Sequence, residues 1–155
     1  MGGVASFFEE ALRAEVALTF FLPLVVYMSD AIGTQTETLT IRRMAARKLF
    51  FGREVLHEAA TGLLIGLTVG VLALLIIYLW TGKLLVAVIV GAAIVASAIT
   101  ATVIASGLPL LMSRLKADPA AASGPVATVI QDFLSVAIYL GIAQFALWSM
   151  FQTSG

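Results

Sequence analysis

The hydrophobic pattern divides the chain into four long apolar stretches separated by polar breaks. Uncharged runs cover residues 16–29, 59–82, 84–113 and 133–155. About 20 apolar residues in helical form cross a bilayer. The pattern therefore predicts an all-α polytopic membrane protein with about four spanning helices. The first span begins near residue 15 and enters the polar stretch 29–40, with Pro23 placed to kink it. Threonine is a poor helix former, so this polar part is expected to be partly broken, as the unwound helices of ion sites are. The second span covers about residues 59–80 and ends on the interfacial pair Tyr78 and Trp80. Thr81-Gly82-Lys83 makes a tight connection to a third span over about 84–112. That span is long enough to tilt, or to break at Gly107-Leu108-Pro109. Asp118-Pro119 opens the last helix, which continues to about residue 151. Asp before Pro is an N-cap pair.

Composition sharpens this picture. Hydrophobic residues make up 61% of the 155 residues and charged residues 12%, far from the balance of a soluble domain. A soluble enzyme is excluded on that ground. The formal net charge is zero, which leaves no basic excess for nucleic acid. There are no cysteines, so neither disulfides nor thiolate metal sites arise. Arg42, Arg43, Arg47, Lys48 and Arg53 crowd into one segment, and Arg114 and Lys116 into another. The positive-inside rule puts both loops, 42–58 and 113–118, in the cytoplasm and the Lys83 turn outside. The second span carries Gly62, Gly66 and Gly70. That is the small-residue spacing of close helix packing in lipid.

The chemistry rests on carboxylates that lie where charge is costly. A charge at mid-membrane costs about 2.5–3.5 kcal/mol on insertion scales. Among the carboxylates, Asp132 stands in the longest uncharged surroundings. Thr128, Asp132, Ser135 and Tyr139 recur at helical spacing and are expected to share one polar face. Asp30, Thr34 and Glu37 share another if their stretch is helical, with the two carboxylates about 10 Å apart along the axis. His57 in Glu54-Val-Leu-His57-Glu58 has a metal-ligand spacing without the second copy that a di-iron bundle needs. Carboxylates with threonine and amide oxygens suit a hard cation such as Mg²⁺, which keeps several of its waters. No nucleophile–base pair appears, so an enzyme is not expected. Alternatives are a non-conducting subunit that assembles with a fuller paralogue, and a proton-coupled transporter of another solute that titrates Asp132.

Two of these stretches carry a resemblance. Residues Asp30-Ala31-Ile32-Gly33-Thr34-Gln35-Thr36-Glu37, running on to Arg42, resemble the glycine- and glutamine-containing motif of MgtE-type magnesium transporters. Asp118-Pro119-Ala120 with Gly124-Pro125, Thr128 and Asp132 resembles the family's second motif, at matching separation. Gly107 and Pro109 fit the end of the preceding family span. The resemblance covers about residues 7–150. It implies one transmembrane cation-transport domain over 1–155, a homodimer in the cell membrane, and Mg²⁺ or a similar divalent cation as the transported ion, with no cofactor. It implies that Asp132 is the pore aspartate, one from each subunit. Asp118 would sit near the cytoplasmic mouth. Asp30, Gln35, Glu37 and Thr128 are further candidates to face the cation, by their own oxygen chemistry. The family's Gly-Asn-x-Gly-Asn-Gln core reads Asp30-Ala31-Ile32-Gly33-Thr34-Gln35 here, with two asparagines lost and a carboxylate added. Against the family plan the chain is shortened. Residues 1–12 resemble the tail of a first span, and the cytosolic sensor domains have no counterpart.

Overall fold

The computed structural model describes the backbone of residues 2–153, and the side chains of residues 16–119, 124–149 and 152. The expectation for residues 1–12 and the side chains of motif residues 120–123 lie outside the described residues. Four helices follow one another: α1 (Gly2–Ala46), α2 (Phe51–Thr81), α3 (Leu84–Arg114) and α4 (Pro119–Thr153). Each holds a segment long and apolar enough to cross a membrane. The described residues contain no strand. The protein is an all-α integral membrane protein.

α3 is the hub and packs against the other three helices. Its sequence explains why. Ala87, Gly91, Ala98, Ala101, Thr102 and Ala105 are small and buried, and in lipid small residues drive association by letting backbones approach. Gly62, Gly66 and Gly70 form the matching face of α2. A Cβ at Gly70 would lie 2.8 Å from the Gly91 carbonyl oxygen, and one at Gly91 would lie 2.9 Å from that of Gly70. A Cβ at Gly66 would meet Val95 Cα and Ala98 Cβ at 3.0 Å. The expected packing role of this glycine row is thus realised as a backbone-to-backbone crossing. Gly70→Leu should cost about 2 kcal/mol of stability through overpacking. Thermal unfolding in detergent reads this, and an unchanged midpoint would mean that the crossing tolerates a side chain.

Short connections fix the helix order. Gly82 ends α2 in the left-handed conformation (φ 68°), and its N–H donates to the Tyr78 carbonyl at 2.8 Å. The other two connections lie together at the opposite end. Arg114 stacks over the Phe51 ring at 5.0 Å, and residues 44–48 share one cavity with Leu110, Ser113 and Arg114. Both basic clusters therefore occupy one end of the bundle and Lys83 the other. In this cysteine-free chain, Lys48→Cys and Lys116→Cys should react with an impermeant thiol reagent from the same side of the membrane. Lys83→Cys should react only from the other side. Joint labelling of 48 and 83 from one side would contradict the bundle.

Two expectations are corrected, and one alternative is decided. The polar part of α1 is not unwound: the helix is continuous to Ala46. Thr38 turns its hydroxyl back onto the Thr34 carbonyl at 2.9 Å, while Thr36 and Thr40 point inward and are buried. Tertiary packing overrides the weak local propensity. α3 likewise passes through Gly107 and Pro109 without a break. Proline removes only its own donor, and neighbouring groups in a membrane bundle satisfy what is freed. Finally, α2 begins at Phe51 rather than near 59. The charged segment is mostly helix, because Glu54 and Glu58 turn inward.

Candidate functional site

The α1–α4 seam is where the polar residues meet. The two helices run antiparallel. Ser135 Oγ donates to Ser29 Oγ at 2.7 Å, and Ser29 Oγ points at the Ser97 carbonyl of α3 at 3.5 Å. Further along, the Gln131 amide fills the space that a side chain at Gly33 would need. Tyr139 donates its hydroxyl to the Leu18 carbonyl at 2.5 Å. These contacts set the register. They also show that the buried line of α4 is Ala127, Gln131, Ser135, Tyr139 and Ala143. The face expected from sequence is therefore split. Ser135 and Tyr139 lie in the seam, whereas Thr128 and Asp132 are half-buried along its edge. Helical spacing put the four within one broad arc, and the drift of an i+4 row accounts for the split.

Antiparallel geometry then brings two carboxylates together. Asp30 follows Ser29 by one residue, and Asp132 follows Gln131 by one residue. Each step turns about 100° around its helix. In antiparallel neighbours those steps turn to the same side of the seam. Asp30 and Asp132 thus share one edge, within about one helical turn of the same level. Both are half-buried. Asp132 stands about 20 Å along the axis from Pro119, and Asp30 about 24 Å from Ala46, at 1.5 Å per residue. Asp30 falls near the middle of the apolar segment Val16–Ala46, and Asp132 about a third of the way along Gly124–Ser149.

The remaining sites fall on a ladder toward the basic end. Glu37 is half-buried against α4, with its carboxylate 3.8 Å from where a Cβ at Gly124 would stand. Thr128 is half-buried one turn from Asp132 on the same helix. Asp118 is exposed at the rim, immediately before Pro119 opens α4. Gln35 is not brought to this edge. It is exposed and lies two residues before Glu37, about 160° away around the helix. Among the described residues, no lysine, arginine or histidine forms an ion pair with Asp30 or Asp132. No group of three metal-ligating His, Cys, Asp or Glu side chains occurs among them either.

Sequence reasoning missed a second polar centre. Arg43, near the end of α1, reaches two glutamates one turn apart on α2. Its Nη1 contacts Glu54 Oε1 and lies 2.7 Å from Glu58 Oε1. Arg47 Nη2 stands 3.8 Å from Glu54 Oε2, and His57 Nδ1 stands 3.4 Å from Glu58 Oε1. The glutamate side chains are only 9% and 3% exposed. The Glu-x-x-His spacing singled out above therefore does not form a metal site. Glu54 is taken up by arginine, and His57 is exposed. The signal was present in sequence as an i, i+4 glutamate pair facing a basic run eleven residues away, but nothing in it said that the pair turns inward.

The family model for MgtE, described as a divalent cation transporter, matches residues 22–142. The magnesium transporter MgtE of Bacillus subtilis is 34% identical over 152 residues, which cover 96% of this chain and 34% of that protein. The Thermus thermophilus magnesium transporter MgtE is 36% identical over 143 residues, covering 90% and 32%. That of Enterococcus faecalis is 33% identical over 138 residues, covering 86% and 30%. The chain spans about a third of the length of these curated relatives.

Proposed function

The chain belongs to the MgtE family of divalent cation transporters, and from that premise we propose that it is a membrane domain that conducts a divalent cation, Mg²⁺ in its relatives, along the Asp30–Asp132 edge. What supports this reading is that two half-buried carboxylates lie on one edge of the α1–α4 seam, within about one turn of each other and inside the apolar segments Val16–Ala46 and Gly124–Ser149. Intramembrane charge is costly and faces a partner, a cavity or an ion. Without a cationic side chain paired to them among the described residues, a transported cation is the natural counter-charge. A homodimer in the cell membrane would set the edges of two copies around a common axis and double the carboxylates around the ion. Glu37 and Thr128 would line the path one level nearer the basic end, and Asp118 would stand at its mouth. Gln35 is left outside the path, on the far side of α1. By the positive-inside rule the basic end faces the cytoplasm.

The chemistry suits a hydrated ion. Two like carboxylates in a dry site would repel, and one would take up a proton. A bound divalent cation instead favours both charged forms. Mg²⁺ dehydrates reluctantly, so contacts through its waters bind it without stripping the shell. They also keep binding weak enough for release. Liposomes bearing the chain alone are the test. Mg²⁺ should enter them, and an imposed proton gradient should not change the rate. Absence of flux from folded, inserted protein would favour a non-conducting subunit, and strict dependence on the proton gradient would favour coupled transport.

A further inference from the structure

A cleft of about 330 Å³ lies where α1 ends and α2 begins, outside the proposed ion path. Its lining includes Arg43, Arg47, Lys48, Arg53, Glu54 and His57. Four full cations therefore surround one carboxylate. Arg43, and more distantly Arg47, are drawn to the buried glutamates. Lys48 and Arg53 pair with no carboxylate among the described residues. Topology alone asks for positive charge at this end of the bundle. It does not ask for these charges to converge on one concave site.

The surroundings indicate what kind of anion fits. Phe50 and Leu56 are 76% and 73% exposed beside the cleft, where a soluble anion would gain nothing from them. Below the cleft, an apolar stripe runs along α2 on the face of Arg53 and His57. Ala60, Leu64, Leu67, Val71 and Leu75 follow at helical spacing, and all are exposed in the bundle. From Arg53 to Leu64 this stripe covers about 16 Å, about half of the hydrocarbon core. A basic head site continuous with an apolar track of one leaflet's depth is complementary to an anionic phospholipid. Basic pockets between transmembrane helices take such head groups. We propose that this cleft binds the phosphate of an anionic phospholipid, with Lys48 and Arg53 as its free cations and the α2 stripe along its acyl chains.

Native mass spectrometry of the whole chain in detergent tests this with phosphatidylglycerol and phosphatidylcholine of identical acyl chains. Wild-type protein should retain phosphatidylglycerol at least about fivefold better, a preference that about 0.5 M salt should largely remove because exposed charges are screened. Lys48→Gln with Arg53→Gln should abolish the preference, whereas Lys116→Gln in the other basic connection should leave it intact. Both substituted cations lack carboxylate partners, so thermal unfolding should confirm that the double variant is folded, and Arg53→Lys with Lys48→Arg should retain the preference. Equal retention of the two lipids by wild-type protein would overturn the proposal, as would an undiminished preference in the double variant. Displacement of phosphatidylglycerol by equimolar inorganic phosphate would overturn it too, and would make the cleft a site for a free anion.

Discussion

Asp132→Asn is expected to bring Mg²⁺ entry into liposomes down to the leak of protein-free vesicles, at least about tenfold below wild type, or more than about 1.4 kcal/mol of lost cation stabilisation. Asparagine keeps the size and hydrogen-bonding capacity of the side chain and removes only its charge. The residue is half-buried at the edge of the seam rather than in it, so thermal stability should hardly move. Asp132→Glu keeps the charge and should keep part of the flux. Asp118→Asn should be mild, because asparagine caps a helix nearly as well as aspartate, and Asp118 lies far from the Asp132 level at an exposed rim. Wild-type flux in a folded, inserted Asp132→Asn variant would remove this residue from the path.

Arg43→Gln should produce the largest loss of stability of any single charge removal at the basic end. It would leave Glu54 and Glu58 buried one turn apart with their main cation gone. Breaking a buried pair from one side costs about 3–5 kcal/mol. Arg43→Lys should recover only part, since an ammonium is more strongly hydrated than a guanidinium and is less suited to a buried ion pair. Adding Glu58→Gln to Arg43→Gln should cost less than the two separate losses together, because the partners form one network. Unfolding midpoints in detergent read all three. A loss no larger than that of Arg42→Gln, which touches neither glutamate, would show that the pair is not buried in solution.

The helices were legible because their information is periodic and local. An apolar run of bilayer length leaves little choice of element, and the Gly62/Gly66/Gly70 row announces its packing by spacing alone. The ends were less legible. The charges at Arg53, Glu54 and Glu58 read as loop, although they sit on a helix whose inner face the two glutamates supply. The carboxylates of the candidate site could be named from sequence, but their depth and neighbours could not. That Asp30 and Asp132 share an edge depends on the register of α1 against α4. This register is set by Ser29 with Ser135 and by Gly33 with Gln131, pairings between distant segments that no spacing along the chain announces. Gln35 was named for its motif, and only the turn of the helix separates it from the path.

The two-residue connection at Gly82-Lys83 also bears on how the protein is made. α2 and α3 are joined almost without slack, and their glycine faces match from Gly62 to Gly91. The pair can enter the bilayer as one hairpin as soon as α3 leaves the ribosome. α1, though synthesised before that pair, cannot be finished then. Its Ser29 hydroxyl and the Gly33 surface wait for Ser135 and Gln131, which belong to α4 and are translated after the hairpin. Until they arrive, α1 exposes a polar flank to lipid and is open to quality-control proteases. Chains stopped before α4 should therefore be degraded faster than chains stopped beyond residue 140.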